Sequence, residues 1–320
     1  MIKKIGILTS GGDAPGMNNA VRAIVKSSLK QNIEPYLIYE GYKGLVEGNI
    51  KQATPLMVSG ISNKGGTILG SSRMPEFKEE SVRKVAVKQL KKFGIEALIV
   101  IGGDGSFMGA LRLSEMGIPC IGIPGTIDND ITTTDYTIGY DTSMNSIVHA
   151  IDTVKDTANS HQRCIVIEIM GRHCGDLTIF SSLASGVECI STPEKKLSES
   201  EIIKIVQDAR KVELKRDIIV ATTEKLYDTN KLSAKIEKMT KIETRPLILG
   251  NLQRGGNPSA RDRILATQMG IRAVQELMDG NSGITIGEIA GKLTSTKIED
   301  MHKMKHPDRQ EEIKHVSLTS

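Results

Sequence analysis

Four carboxylates, Asp13, Asp104, Asp128 and Asp130, lie in or beside glycine-rich turns of this 320-residue chain. The turns are Thr9-Ser10-Gly11-Gly12-Asp13-Ala14-Pro15-Gly16-Met17-Asn18, Gly102-Gly103-Asp104-Gly105-Ser106 and Pro124-Gly125-Thr126-Ile127-Asp128-Asn129-Asp130. Glycine lets the backbone approach a ligand closely, and the free N–H groups and positive dipole end of a helix N-terminus attract phosphate. None of these turns is a G-x-x-x-x-G-K-[ST] loop or a full G-x-G-x-x-G fingerprint. Phosphoryl transfer from a nucleotide needs a hard divalent cation, which takes one or two carboxylates plus water, and a base for the acceptor's proton. Asp104, inside a phosphate-type loop, suits the cation. Asp128, flanked by Thr126 and Asp130, suits the proton. Asp and Asn are also ordinary turn residues, so Asp128 and Asp130 by themselves equally suit a capped turn.

Arg73, Arg163, Arg172, Arg245 and Arg254 lie near further loop signals such as Gly70-Ser71-Ser72, Met170-Gly171 and Gly255-Gly256. A guanidinium binds phosphate through two parallel hydrogen bonds, so separate arginines can clamp a donor and a phosphorylated acceptor.

Holding such loops requires a sheet. Short apolar runs at Ile5–Leu8, Tyr36–Tyr39, Ala97–Ile101, Cys120–Ile123, Cys164–Ile169, Ile218–Ala221 and Pro246–Leu249 are rich in Ile, Val and Leu. They read as strands buried on both faces. Between them lie helical stripes: Met17, Ala20, Val21, Ile24, Val25 and Leu29; then Met144, Ile147, Val148, Ile151 and Val154; then Ile202, Ile203, Ile205 and Val206. The alternation predicts an α/β fold of βαβ units around largely parallel sheets, with ligands at the carboxyl ends of strands.

Composition narrows the function classes. Lys plus Arg number 42 against 38 Asp plus Glu, a net charge of +4 that suits small anionic ligands and is too dispersed for DNA. Aromatic residues make up 3% and Trp is absent, which argues against a base-stacking platform. Cys120, Cys164, Cys174 and Cys189 show no C-x-x-C spacing and imply no disulfide framework. The N-terminal stretch lacks a signal-peptide pattern and no apolar run approaches membrane-spanning length, so cytoplasmic residence is expected, with no nucleic-acid or membrane partner. The stretch Lys303–Lys314 mixes charge signs and reads as a solvated surface or a C-terminal helix.

The segments Gly6–Asn18, Gly65–Phe77, Ile101–Ser106, Pro124–Asp130, Ser160–Arg163, Met170-Gly171-Arg172 and Gln253-Arg254-Gly255-Gly256 together resemble the ATP-dependent bacterial 6-phosphofructokinases. The resemblance runs from residue 2 to about 193 and resumes, shifted by one residue, to about 280. It implies a phosphofructokinase-like fold of two domains with the active site between them. The ATP-binding domain would take residues 1–137 plus about 253–300, and the sugar-phosphate-binding domain residues 138–252 plus the C-terminal tail. It implies transfer of the γ-phosphoryl of Mg-ATP to the 1-hydroxyl of fructose 6-phosphate, a step of glycolysis. Gly12, Arg73, Met74, Gly103, Asp104, Gly105 and Ser106 match ATP-site positions, with Asp104 the Mg²⁺ ligand. Asp128 matches the base, Thr126 and Asp130 its supports, and Arg73 and Arg172 the groups that stabilise charge on the transferring phosphoryl. Ile127, Met170, Gly171, Glu224, Asn251 and Arg254 match sugar-phosphate contacts. Arg163 and Arg245 match contacts made from a neighbouring subunit, in a family that is typically homotetrameric and allosteric. Gly105 and Gly125 stand where pyrophosphate-using relatives usually carry Asp and Lys, which favours ATP as donor. The competing readings are pyrophosphate as donor, a related sugar phosphate as acceptor, or a non-catalytic nucleotide-sensing subunit.

The match has departures. Asn251 replaces a usual histidine, so weaker or retuned sugar-phosphate binding is expected. In the family's effector pocket, which takes ADP or phosphoenolpyruvate, Arg22 and Glu188 are kept. Lys26 and Lys155 replace arginines, Pro55 replaces another, and the lysine-rich stretch is displaced to Lys211, Lys215 and Arg216. Lysine loses the two-pronged hold on phosphate, so blunted effector regulation is expected. From about Gly283 onward the tail matches the family little, and it is unassigned.

Overall fold

Runs of β-branched residues five or six long, bounded by Gly and polar turns, account for the central strands. Ala97–Gly102 and Ile218–Thr223 are buried at all six positions, as strands covered on both faces must be. The computed structural model describes residues 2–212 and 215–319. In chain order the first elements are β1 (Lys4–Thr9), α1 (Met17–Lys30), β2 (Glu34–Ile38), α2 (Gly41–Glu47), β3 (Ile50–Gln52), α3 (Glu80–Phe93), β4 (Ala97–Gly102), α4 (Asp104–Glu115) and β5 (Cys120–Pro124). Next come α5 (Tyr140–His161), β6 (Cys164–Ile169), α6 (Asp176–Ser185), β7 (Cys189–Ser191), α7 (Glu199–Ala209), β8 (Ile218–Thr223), α8 (Thr229–Thr240) and β9 (Thr244–Ile248). The chain closes with α9 (Ala260–Met278), β10 (Ile284–Ile289), β11 (Lys292–Lys297) and α10 (Gln310–Thr319).

The chain divides into two compact units. The first holds the stretch ending at Ile127, together with Ile131–Thr142 and Arg254–His306; the second holds Asp128–Asp130, Ser143–Gln253 and the segment from Pro307. The first unit is built on a seven-stranded sheet ordered β11-β10-β5-β4-β1-β2-β3. Its interior pairings are parallel, and β3 and β11 close the two edges antiparallel. One side of it is packed by Leu8, Ile38, Leu98, Val100, Phe107 and Leu113. The second unit has a parallel four-stranded sheet ordered β7-β8-β6-β9, packed by Cys164, Val166, Ile202, Val206, Val220 and Ile236. Helix ends follow their local chemistry: Ser198 and Glu201 form a reciprocal capping box on α7, and Asp228 and Ser259 cap α8 and α9.

The α/β alternation of the sequence is the architecture that forms. One strand departs from its expected environment. Pro246–Leu249 reads as doubly buried, but β9 is the edge of its sheet, with Arg245, Pro246 and Ile248 exposed. Proline lacks the N–H that an inner strand would donate, so an edge is where it fits. The β10–β11 hairpin extends the first sheet beyond β5.

Candidate active site

In the first unit the strand order reverses between β1 and β4, the switch point where α/β sheets open a crevice at their carboxyl ends. The two loops that leave it are the first two glycine-rich turns. Ser10 N–H donates to the Ile101 carbonyl at 2.9 Å, tying them at their roots. Asp104 is the first residue of α4, and the Gly103 carbonyl accepts the Ser106 and Phe107 N–H groups at 3.0 and 3.1 Å. Gly105 is exposed, and a β-carbon placed on it would meet nothing within 4 Å. Gly12 is different: a β-carbon there would lie 2.6 Å from Nη1 of Arg254, whose guanidinium also donates to the Asp13 carbonyl at 3.3 Å. A side chain at position 12 would push the Arg254 guanidinium off the loop. Ser71 donates to the Gly11 carbonyl and Thr9 to the Gly70 carbonyl, so the segment carrying Arg73 is moored to the first loop. Arg73 is exposed, while Met74 packs against the hydrophobic cluster that contains the stacked rings of Tyr42 and Phe77, and the Tyr42 hydroxyl donates to the Ser106 carbonyl at 2.6 Å.

The third loop begins at the end of β5. Gly125 N–H donates to Gly102 at 3.0 Å, and Thr126 N–H donates to Ile138 at 3.1 Å. The Ile138 N–H reaches the Pro124 carbonyl at 2.9 Å and the Thr137 hydroxyl reaches the Thr126 carbonyl at 2.6 Å. The two legs of the loop are thus zipped at its base. Ile127 is fully buried and presents no surface in this conformation. Beyond the base, Asp262 of α9 accepts the N–H groups of Gly139 and Thr142 at 2.9 and 2.8 Å, and also the Thr142 hydroxyl. Burial pushes the Asp262 carboxyl up to about 6, against the pull of these donors.

In the second unit, Asp128 and Asn129 are buried at 7% and 6% exposure. Arg172 holds a left-handed backbone, φ 59°, and places Nη1 4.0 Å from Asp130. Its N–H donates to Glu224 at 3.1 Å. The preceding Gly171, φ 147°, has no room for a side chain, because a β-carbon would sit 2.3 Å from the Cys174 carbonyl. Met170 N–H donates to Gln253 at 3.0 Å, and Gln253 donates in turn to the Gly250 carbonyl at 3.1 Å, shaping the short turn that carries the exposed Asn251. Arg163 and Arg245 converge on Glu243: Arg163 Nε is 2.8 Å from it and Arg245 Nη2 hydrogen-bonds to it. Arg163 holds the Glu243 carboxyl below the usual carboxylate range.

The effector-matching residues fall in both units. Arg22 and Lys26 lie one turn apart on α1 in the first. In the second, Lys155 donates to the Ser185 and Gly186 carbonyls at the end of α6, and Glu188 accepts the Ile219 N–H at 2.6 Å and pairs with Lys215. Lys155 therefore has a helix-capping role at this site, and Arg216 is exposed.

Several supporting residues carry no signal in the sequence. Asp176, Asp262 and Arg309 are ordinary charged residues in helical or polar stretches, and Gln253 stood inside a noted motif without a role. No sequence spacing reveals them, since each acts through a contact distant along the chain. The four cysteines are buried, which pushes Cys120 and Cys189 up to about 12 and Cys164 and Cys174 higher still. Their thiols take no part in nucleophilic chemistry near neutral pH. Among the described residues no helix is long and apolar enough to cross a membrane.

A family model described as Phosphofructokinase matches residues 4–277. The chain is 54% identical over 310 residues, 97% of each chain, to an ATP-dependent 6-phosphofructokinase of Vibrio campbellii. Among solved structures, phosphofructokinase from Saccharomyces cerevisiae superposes with a TM-score of 0.87 at 32% identity, covering 94% of this chain and 45% of that one. A pyrophosphate-dependent phosphofructokinase from Marinobacter aquaeolei gives the same TM-score at 18% identity, over 98% and 91% of the two chains, a likeness of fold alone.

Proposed function

The chain belongs to the phosphofructokinase family, and we propose that it transfers the γ-phosphoryl of ATP to the 1-hydroxyl of fructose 6-phosphate, giving fructose 1,6-bisphosphate and ADP. The carrying observation is identity of 54% across nearly the full length of a relative so named, with Asp104, Asp128 and Arg172 all present. A decayed, merely nucleotide-sensing chain would be free to lose any of the three.

The donor reading rests on two glycines. Gly105 leaves open space at the start of α4, where an α-phosphate needs it. Around Gly125 the space is closed, with Ile101 and Met17 each 3.0 Å from an added β-carbon, so a lysine there would displace Met17. Both fit ATP better than pyrophosphate. Gly12, Gly103, Ser106, Arg73 and Met74 complete the nucleotide contacts. Among the described residues no group of three His, Cys, Asp or Glu forms a ready cage for a metal. Asp104, at the start of α4, would hold a Mg²⁺, an ion that one carboxylate can carry with most of its waters kept. Mg²⁺ bound with the nucleotide supplies neutralisation of phosphate charge.

Asp128 takes the proton from the sugar hydroxyl as its oxygen attacks the γ-phosphorus, and no covalent enzyme intermediate is needed. Thr126 and Asp130 hold Asp128, while Arg73 and Arg172 spread the charge that develops. Met170, Gly171, Glu224, Asn251 and Arg254 orient the sugar phosphate. Arg163 and Arg245 act from a neighbouring subunit of a homotetramer; Arg245 lies on the edge strand β9, whose Ile248 is 51% exposed, and Arg163 pairs with Glu243 just before that strand. The enzyme works in the cytoplasm, within glycolysis, with effector control blunted by Lys26, Lys155 and Pro55. A coupled assay comparing ATP with pyrophosphate on fructose 6-phosphate tests the reading. Turnover with ATP supports it, and turnover only with pyrophosphate, or none, contradicts it.

A further inference from the structure

Asp176 opens α6 and is 3% exposed. Arg309 grips it with two parallel hydrogen bonds, Nε to Oδ1 and Nη2 to Oδ2, each 2.8 Å. The same Oδ2 accepts the side-chain amide of Asn129 at 2.9 Å. Asn129 stands between Asp128 and Asp130, with its backbone at φ 53° and its carbonyl 3.7 Å from the Cys174 thiol, which donates to it.

Arg309 comes from the C-terminal segment that sequence likeness left without a role. Its side chain is 16% exposed, lies over the Phe180 ring and also reaches Glu312 at 3.2 Å. The helix that follows, α10, buries Ile313 and Val316 and packs on α6 and β7. The guanidinium fork fixes a carboxylate in plane as well as in position. A fixed Asp176 then fixes the Asn129 amide, and the left-handed turn at Asn129 sets the direction of the carboxylates on either side of it.

We infer that Arg309 is a positioning residue for the Asp128–Asp130 turn, acting through Asp176 and Asn129, so that the C-terminal segment sets the rate of phosphoryl transfer. The inference rests on the reading of Asp128 as the base. Lysine at 309 keeps the charge and loses the fork; glycine at 129 removes the amide and tolerates the backbone angle.

The test is steady-state kinetics with ATP and fructose 6-phosphate on Arg309→Lys, Asn129→Gly and the double variant, with hydrogen exchange of the Asn129 and Asp130 amides. Each single variant is expected to lower kcat about tenfold, since small misplacements of reacting groups cost that much or more, with KM for ATP within about twofold. The double variant adds less than about twofold to either, because both break one relay, and exchange rises in Arg309→Lys. A kcat within about twofold of wild type, with only a lower Tm, makes Arg309 a mere stabiliser and overturns the inference; so do reductions that multiply. If Arg309→Lys does not fold, Asn129→Gly still decides, since it leaves the Arg309–Asp176 pair intact and an unchanged kcat refutes the relay. Wild-type inactivity would strike the activity reading alone, and the exchange result would then decide the relay.

Discussion

Asp262 holds Thr142 twice, through its backbone N–H at 2.8 Å and through its hydroxyl. With the Gly139 N–H at 2.9 Å, the carboxylate closes the far leg of the loop that begins at Thr126. Burial raises its native pKa to about 6, above the ordinary 3.8. The folded state therefore keeps this proton to higher pH than the unfolded chain does. The group's stabilisation is fully present below about pH 4 and is lost as pH rises through about 6, by up to about 3 kcal/mol. Asp262→Asn does not titrate. Urea unfolding at pH 5 and pH 7.5 should show the wild type's advantage over this variant shrinking at the higher pH. An advantage that grows with pH would mean that the donors outweigh burial.

Gly105 opens onto free space at the start of α4; in the proposed ATP site a carboxylate there would meet the nucleotide's phosphates. Gly105→Asp should fold normally, because nothing within 4 Å obstructs a β-carbon. It should lower kcat/KM for ATP at least about 100-fold through charge repulsion and lost space. Initial-rate kinetics with varied ATP check this; a change under about fivefold would move the nucleotide away from this helix start.

Arg245 is 54% exposed on an edge strand and is tethered to Glu243 and Glu237. An exposed tether of this kind contributes little stability. Arg245→Ala should keep the wild-type Tm while KM for fructose 6-phosphate rises about tenfold or more, as expected for a phosphate contact supplied to a neighbouring subunit. Sedimentation should report a tetramer for the wild type. A monomeric wild type with full activity would contradict the shared-site reading.

Asn251 sits exposed on the turn shaped by Gln253. In the proposed sugar-phosphate site, a protonated histidine there adds a positive charge near the phosphate. Asn251→His should lower KM for fructose 6-phosphate about threefold to tenfold at pH 7, with less gain at pH 8.5. Rate curves at the two pH values test it, and an unchanged KM at both would remove Asn251 from the sugar-phosphate contacts.

Much of the sheet scaffold is legible in the sequence because β4 and β8 are continuous buried runs, and β6 nearly so, alternating with helical stripes. β9 misled because Pro246, Leu247 and Ile248 form an apolar run that reads as interior, while Pro246 has no N–H to give an inner neighbour and sits on an edge. The short β3 and β7, three residues each, carry too little pattern to be seen. The glycine-rich loops announce themselves, since close backbone approach demands glycine whatever the partner. Their supports do not. Asp262 and Arg309 act across 123 and 133 residues of sequence, and a lone Asp or Arg in a helical stretch looks like any solvated charge until the fold buries it.

The transfer proposed above requires Asp128 to remove the proton from the sugar hydroxyl. Its most direct test is kcat of Asp128→Asn with ATP and fructose 6-phosphate, alongside nucleotide binding to the same variant. The expected result is a fall in kcat of about 10²-fold to 10⁴-fold with ATP binding unchanged, because Asn keeps the size and loses the basic oxygen. Turnover near that of the wild type would contradict it.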